Sequence, residues 1–158
     1  MPTTKTLTIK QERNLQRAIE YILNPEKTKN QTLTSGHKLN AVNNAFFEMS
    51  LTRRLATNIK GQSNKKTTEE VLARHIIQSF DPADNLTPEE VHEIGRQTAL
   101  EFLGEDYEFV IATHVDKDHL HNHIIFNATS TVDLKKFRWQ KRTTADLRYI
   151  SDKVADYH

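Results

Sequence analysis

Cysteine is absent from this chain of 158 residues, which excludes disulfide bonds and thiolate metal ligands. The sequence also lacks an apolar run long enough to span a membrane, and nothing in it resembles a signal peptide. Internal repeats and low-complexity segments are missing as well. We therefore expect a single cytoplasmic domain that is large enough to bury a core.

Net charge is low, at +1, but the charged residues are segregated along the chain. Basic residues recur in segments 5–29, 53–74 and 135–148, whereas acidic residues concentrate in 81–108. A single run of charge is usually no more than a solvated surface. Several separated runs of one sign instead indicate one surface for a polyanion and another that faces solvent.

Apolar periodicity predicts alternating strands and helices. Strands are expected over 4–10, 32–41 and 71–80, and helices over 11–24, 42–59, 88–103 and 144–157. The sharpest boundary is the start of the third helix, where Thr87, Pro88 and Glu90 predict a capping box with proline at the first helical position. Gly104 is expected to end that helix, and residues 60–68 to form a polar loop.

The most informative stretch, residues 114–123, holds four of the eight histidines of the chain. Two apolar runs rich in β-branched and aromatic residues, 108–113 and 124–129, flank it and predict a β-hairpin. The order of elements is therefore strand-helix-strand-helix-strand-helix-hairpin-helix. That order predicts an α+β fold with a central, mostly antiparallel sheet of five strands flanked by helices.

The phase of the side chains selects which histidines act together. His121 and His123 point to the same face of their strand, and His114 lies opposite one of them at a Cβ separation of about 4.5–5.5 Å. Three converging imidazoles that leave coordination positions open predict a catalytic metal site rather than a structural one. His119 is out of phase and falls in the turn, whereas Asp116 is in phase and is expected to orient an imidazole.

Three segments resemble, in order, the motifs of one protein family. Two histidines on one strand, with a third seven residues earlier, resemble the HUH endonucleases, whose motif is His-hydrophobic-His. The segment Tyr21-Ile-Leu-Asn-Pro-Glu-Lys-Thr28, the segment 75–90 and the segment 114–127 resemble the first, second and third motifs of the conjugative relaxases. These are VirD-type mobilization nucleases of plasmids and integrative conjugative elements, and the resemblance covers nearly the whole chain.

The resemblance implies an enzyme that nicks one DNA strand at an origin of transfer. In such enzymes a tyrosine attacks the scissile phosphate and keeps the 5′ end as a phosphotyrosine, and the reverse reaction rejoins the ends after transfer. The implied fold is the HUH relaxase fold with a ferredoxin/RRM-like core. The implied cofactor is a divalent metal ion, Mn²⁺ or Mg²⁺, of which Mn²⁺ suits imidazole ligands better.

Each role in the family falls on a residue of this sequence. Tyr21, beside the apolar stripe of its helix, is the expected nucleophile. His114, His121 and His123 are the expected metal ligands, and Asp116 is expected to orient one of them. Contacts with phosphate are expected from His75 and Arg17, and other DNA contacts from Lys135, Lys136, Arg138, Trp139, Lys141 and Arg142.

Three alternatives stay open, one of which is not an enzyme but a DNA-binding module whose histidines only retain a structural ion. Rolling-circle replication initiators are also HUH enzymes and carry their tyrosine on a helix after the histidine strand, a position that Tyr149 occupies here. A three-histidine metal hydrolase would instead activate water and need no tyrosine.

The resemblance also implies partners and a cellular setting. Single-stranded DNA from an origin of transfer, a type IV secretion coupling protein and accessory DNA-binding proteins are the expected partners of a monomeric protein in the bacterial cytoplasm. The last helix is not terminated before His158, so residues 1–158 are expected to be the N-terminal relaxase domain of a longer protein.

Overall fold

The computed structural model describes residues 1–61 and 70–158. Most of the polar loop expected over 60–68 therefore lies outside the described residues. Short 3₁₀ turns at Val42–Asn44 and Pro82–Asp84 accompany the longer elements. The strands and helices of the described part are β1 (Thr3–Ile9), α1 (Glu12–Ile22), β2 (Thr34–His37), α2 (Ala45–Lys60), β3 (Ala73–Ser79), α3 (Pro88–Leu103), β4 (Phe109–His114), β5 (His121–Asn127) and α4 (Thr143–Asp156).

The strands form one antiparallel sheet in the order β1-β3-β5-β4-β2. β5 therefore lies at the centre of the sheet, and β1 and β2 lie at its edges. This arrangement confirms the expected α+β fold with a five-stranded antiparallel sheet and flanking helices. Within the described residues, no helix is long and apolar enough to cross a membrane.

Alternate side chains along β4 and β5 enter two separate apolar clusters. Val110, Ala112 and Ile125 pack with residues of α1 and α2. Ile111 and Ile124 pack with residues of α3 and α4. The sheet is thus covered on both sides, which we call the α1/α2 face and the α3/α4 face.

Helix α3 begins and ends where local chemistry predicts. The Thr87 hydroxyl accepts a hydrogen bond from the Glu90 backbone N–H at 3.1 Å, and the Glu90 carboxylate accepts one from the Thr87 N–H at 3.0 Å. Pro88 occupies the first turn, where its missing N–H leaves no helical bond unmade. Gly104 follows the last turn with a φ of +72°, which glycine adopts without strain.

Most boundaries differ from those expected by a few residues, and two of the differences have a local cause. Helix α1 stops at Ile22 rather than at Asn24, because Pro25 disfavours helical geometry in the residue before it. Strand β2 is confined to Thr34–His37, because Lys38 adopts a left-handed φ of 58° that interrupts the extended chain. Both differences shorten an element without changing the order of the fold.

Candidate active site

Helix α1 presents Tyr21 at the end of the sheet where the histidines lie. Leu15, Ile19 and Ile22 are buried against the α1/α2 face, and this stripe fixes the rotation of the helix. Tyr21 lies beside the stripe and remains 49% exposed. Its ring makes edge contacts with two imidazoles, so the side chain stands against the histidine cluster while staying accessible.

Strands β4 and β5 bring the three expected histidines onto the α1/α2 face. His114 pairs with His121, and Ala112 pairs with His123, across the two strands. The ring centroids of His114 and His123 are 4.2 Å apart, whereas those of His121 and His123 are 6.4 Å apart. The Tyr21 ring lies 5.6 Å from His114 and 6.1 Å from His123. Tyr21, His114 and His123 therefore form the compact centre of the site, and His121 is its outer member.

His75 joins this cluster from β3. Its Nε2 atom lies 2.9 Å from Nδ1 of His123, and both imidazoles are buried. A contact with phosphate was the role expected for His75, but the structure places its ring nitrogen against His123. One imidazole donates to the other, so His75 is arranged to set the orientation of the His123 ring.

Hydrogen bonds made by one nitrogen of each imidazole ring determine which ring nitrogen keeps its lone pair. The neutral His114 ring donates from Nε2 to the carbonyl oxygen of Ile22 at 2.9 Å, which leaves Nδ1 with its lone pair. When His123 donates from Nδ1 to His75, its Nε2 atom keeps a lone pair as well. Histidines that bind metals commonly have this pattern, with one ring nitrogen donating and the other free.

Burial keeps these imidazoles neutral. Burial, followed by the neighbouring His114 and His75 rings, lowers the pKa of His123 to about 2. Burial also lowers the pKa of His75 to about 4, and it lowers the pKa of His114 and that of His121. At pH 7 all four rings are therefore in the uncharged state that a divalent metal ion requires.

The chemistry of these donors fits a divalent ion, but the side chains are not arranged around a common point. Across residues 1–61 and 70–158, no three histidine, aspartate or glutamate side chains converge closely enough to hold a metal ion. The ring centroids of His121 and His123, for example, are 6.4 Å apart.

Lys27 belongs to the site, although sequence reasoning missed it. Its ammonium group lies 2.6 Å from the Asp116 carboxylate and 5.4 Å from the centroid of the Tyr21 ring. The role expected for Asp116 was orientation of an imidazole; in the structure its carboxylate is bonded to Lys27. The signal that could have found Lys27 is its place in the same motif as Tyr21.

The segment that carries Lys27 is hydrogen-bonded at one point to β4 and at another to the residue that follows β4. The Lys27 carbonyl accepts a hydrogen bond from the Val115 N–H at 2.8 Å, and the Leu33 carbonyl accepts one from the Thr113 N–H at 2.9 Å. Between these points, residues 29–31 form a left-handed turn with φ values of 50°, 57° and 67°. Such geometry costs about 1–2 kcal/mol for each residue other than glycine, so the surrounding contacts must hold it.

The strand residues between the histidines point to the α3/α4 face and form a closed polar network. Asn122 lies between His121 and His123 and is fully buried. Its amide nitrogen donates to Gln78 Oε1 at 2.9 Å and to the Val91 carbonyl at 2.7 Å, and its oxygen accepts from the Thr113 hydroxyl at 2.6 Å. Gln78 donates in turn to the Ser151 hydroxyl at 2.8 Å. A buried network with these bonds holds the strands in one register.

Two other expected residues lie outside the histidine cluster. Arg17 is exposed on α1, one helical turn before Tyr21. Tyr149 is 67% exposed on α4, whose Leu147 packs on the α3/α4 face. Because the sheet separates its two faces, Tyr149 lies on the side opposite the histidines.

The basic segment that follows β5 leaves the sheet at the end opposite His121. Trp139 packs against Phe102 and Phe137 at ring-centroid distances of 5.8 and 5.9 Å, and the Arg74 guanidinium lies 4.7 Å from the centre of its ring. Trp139 is thus held in the packing of the α3/α4 face, away from the histidines. The charged side chains of the segment are exposed, namely Lys135, Lys136, Arg138, Lys141 and Arg142.

Known proteins share much of this sequence. The family model described as "Relaxase: MobA/VirD2-like, nuclease domain" matches residues 21–158. The group II intron-interrupted relaxase LtrB of Lactococcus lactis subsp. cremoris is 43% identical over 172 aligned positions, which cover 91% of this chain and 31% of that protein. Protein rlx of Staphylococcus aureus is 35% identical over 83 positions, which cover 52% of this chain and 24% of that protein. The chain therefore spans less than a third of the length of either relative.

Proposed function

Because this chain belongs to the MobA/VirD2-like relaxases, we propose that it cuts one DNA strand at an origin of transfer through a covalent phosphotyrosine intermediate. The observation that carries this proposal is the position of Tyr21, half-exposed and in edge contact with His114 and His123. A nucleophile must be accessible to DNA and lie beside groups that can stabilise the negative charge of a phosphate. Tyr149, on the opposite face, has no histidine cluster beside it.

In the proposed reaction, the hydroxyl oxygen of Tyr21 attacks the scissile phosphorus. The bond from Oη to phosphorus forms, the bond from phosphorus to the 3′ oxygen breaks, and that oxygen leaves with the bonding electron pair. The phenol loses its proton to solvent and the 3′ oxygen takes one up, so one phosphodiester replaces another without a further reactant. Religation is the same exchange in reverse, which suits an enzyme that rejoins ends after transfer.

His114, His121 and His123 are proposed to hold Mn²⁺ or Mg²⁺. Their lowered pKa values support this assignment, since neutral nitrogen atoms are the ligands that such an ion needs. A divalent ion at these residues would neutralise negative charge on the phosphoryl oxygens. His75 would fix the orientation of the His123 ring through their 2.9 Å contact.

DNA is proposed to cross the surface around Tyr21, with its phosphates held by basic side chains. Arg17, exposed one turn before Tyr21, is placed to contact a phosphate next to the nick. The exposed charges of segment 135–142 lie beyond the other end of β5, so they would hold DNA farther from the reacting bond. Trp139 is not proposed as a stacking platform at the nick, because its ring is packed against Phe102 and Phe137.

For the complete protein we propose the partners of a conjugation system. It would act as a monomer in the bacterial cytoplasm, on single-stranded DNA from the origin of transfer. Accessory DNA-binding proteins would help it at the origin, and a type IV secretion coupling protein would receive the covalent complex. Membership in the relaxase family supports these partners.

The proposal is tested with single-stranded oligonucleotides that tile both strands of the DNA flanking the gene, incubated with the protein and Mn²⁺. We expect one oligonucleotide to give a covalent protein–DNA adduct on a denaturing gel, and mass spectrometry to locate the modification on Tyr21. Tyr21→Phe should abolish the adduct. Tyr149→Phe, the matched change on the opposite face, should leave the adduct intact.

Other outcomes would replace the proposal with a different function. An adduct on Tyr149 would identify a rolling-circle replication initiator. Bound zinc and turnover of small substrates without an adduct would identify a metal hydrolase. Binding of DNA without cleavage, across several metals and all oligonucleotides, would identify a DNA-binding module.

A further inference from the structure

We infer that Lys27 acts directly on the reacting phosphate and that Asp116 positions it. The inference rests on the proposed function, in which Tyr21 exchanges a phosphodiester bond. Lys27 would bring a positive charge to the oxygen atoms of the linkage between Tyr21 and phosphate, as the linkage forms and as it breaks.

The ammonium group of Lys27 already lies against the tyrosine. Its Nζ atom is 5.4 Å from the centroid of the Tyr21 ring and 2.6 Å from Oδ2 of Asp116. The lysine and aspartate side chains are 22% and 28% exposed, so the pair is shielded in part from water and yet open to a ligand. A lysine at this distance needs only a rotation of its flexible stem to reach a phosphate bonded to the tyrosine oxygen.

The backbone builds this position into the fold. The Lys27 carbonyl accepts a hydrogen bond from the Val115 N–H at 2.8 Å, and Asp116 is the next residue along the chain. The left-handed turn at residues 29–31 then returns the chain to β4 through the Leu33 carbonyl. A strained turn that is held at both ends indicates that the placement of Lys27 is specified, since strain of this kind concentrates at functional sites.

A contribution to stability alone explains the pair poorly. Partly exposed ion pairs stabilise a fold by about 0–1 kcal/mol, which is less than the strain of the turn that follows Lys27. Bonding to Asp116 raises the pKa of Lys27, so the lysine keeps its charge at neutral pH. Asp116 therefore holds the ammonium group of Lys27 beside the Tyr21 ring.

A charge in this place would act in both directions of the reaction. During cleavage, Oη of Tyr21 bonds to phosphorus and the 3′ oxygen departs with its electron pair, while negative charge grows on the phosphoryl oxygens. During rejoining, the 3′ hydroxyl loses its proton to solvent as it attacks, and Tyr21 leaves with the electron pair as a phenolate, which then takes a proton from solvent. Lys27 would stabilise the negative charge in both transition states.

The absence of cysteine from the chain allows a direct test. Lys27→Cys removes the charge, alkylation with 2-bromoethylamine restores an ammonium at nearly the original length, and alkylation with iodoacetamide adds a neutral group instead. The rate of adduct formation is measured at saturating concentrations of the oligonucleotide that reacts with wild type. Binding of the same oligonucleotide is measured separately, by fluorescence anisotropy.

We expect Lys27→Cys to slow adduct formation by about 100-fold, the usual cost of removing one group that stabilises transition-state charge. Aminoethylation should recover at least about tenfold of that loss, and the neutral group should recover none. Affinity for the oligonucleotide should change by less than about threefold, since other phosphate contacts remain. Lys153→Cys, treated with the same reagents, is the matched control and should keep the wild-type rate, because Lys153 also pairs with a carboxylate, Glu101 at 2.7 Å, and lies over a tyrosine ring, that of Tyr149, on the opposite face.

Failure of this inference is distinguishable from failure of the proposed function. If wild type forms the adduct and Lys27→Cys forms it at a similar rate, Lys27 has no part in the reaction. Equal recovery with both alkylating reagents would show that bulk, and not charge, is what the site requires. If wild type forms no adduct with any oligonucleotide, the proposed function is overturned, and this inference with it.

Discussion

Asn122 and His123 are neighbours on β5 and point to opposite faces of the sheet. Their side chains differ in how many of their polar atoms are hydrogen-bonded within the fold. On the α3/α4 face, the Asn122 amide bonds to Gln78, Val91 and Thr113. On the α1/α2 face, the His123 ring has one nitrogen against His75 and lies beside the half-exposed Tyr21. One face thus uses its polar groups for bonds within the fold, and the other carries the imidazoles that we propose as metal ligands.

This difference separates the residues that set geometry from those available for chemistry. A one-residue slip in the pairing of β4 with β5 would exchange the two sets, because side chains alternate along a strand. The amide network opposes such a slip, since Asn122 and Thr113 would lose their partners and histidines would enter the α3/α4 face. Substitutions on the α1/α2 face should therefore mainly reduce activity, and substitutions on the α3/α4 face should mainly reduce stability.

The largest effect is expected from His123→Ala, on the histidine face. Adduct formation should fall by more than about 100-fold, because the ring that contacts both His75 and Tyr21 is lost. The free energy of unfolding should fall by no more than about 2 kcal/mol, since the site borders solvent. Gel assays of the adduct and urea denaturation measure the two quantities. A rate close to wild type would exclude His123 from the reaction.

Asn122→Ala, on the opposite face, should affect stability instead. The change removes the partner of Gln78 Oε1 and one partner each of the Val91 carbonyl and the Thr113 hydroxyl, of which the hydroxyl keeps His92 Nδ1 at 2.9 Å. At about 1–3 kcal/mol for an unsatisfied buried group and about 1 kcal/mol for each further hydrogen bond lost, we expect a loss of about 3–5 kcal/mol in the free energy of unfolding. The exposed Asn58→Ala is the matched control and should change it by less than about 0.5 kcal/mol. Equal values for the two variants would mean that the network does not hold the fold.

A smaller loss is expected from Gly95→Ala, where α3 crosses β5. A Cβ atom at this position would lie 2.4 Å from Nδ2 of Asn122 and 2.6 Å from Cδ1 of Ile111, so α3 must move away from the sheet. Overpacking of this kind costs about 1–3 kcal/mol. Combining Gly95→Ala with Asn122→Ala removes the first clash, so the two losses should sum to more than the double variant shows. Strict additivity, measured by urea denaturation, would mean that Gly95 and Asn122 do not constrain each other.

Local sequence patterns were sufficient to predict the fold and the face of the sheet on which the histidines lie. The ends of α3 follow from side chains within a few residues of each end, and the phase of His114, His121 and His123 follows from strand alternation. The partners of Asp116 and Asn122 did not follow, because they come from distant parts of the chain. Lys27 is 89 residues from Asp116, and Gln78 is 44 residues from Asn122. Periodicity assigns a residue to a face, whereas packing of helices against the sheet decides which residue it meets there.

The smallest expected effect is a pH dependence of the free energy of unfolding, caused by the buried histidines of the α1/α2 face. In metal-free buffer, His75 and His123 have pKa values of about 4 and about 2 in the folded state, both below the value of about 6.5 in the unfolded chain. The unfolded chain therefore binds protons first as the pH falls, so these groups destabilise the fold below about pH 6.5. Between about pH 7 and pH 6, each should lower the free energy of unfolding by about 0.7 kcal/mol.

His75→Gln tests this pH dependence, because glutamine fills similar space and does not titrate. Urea denaturation at both pH values should show a loss smaller than that of wild type by about 0.7 kcal/mol. Asn58→Ala, which changes neither face, should keep the wild-type dependence. If His75→Gln also keeps the wild-type pH dependence, burial of His75 does not cause the loss of stability in acid. If the loss is smaller by the expected amount, burial of His75 is one cause of the sensitivity of the fold to acid.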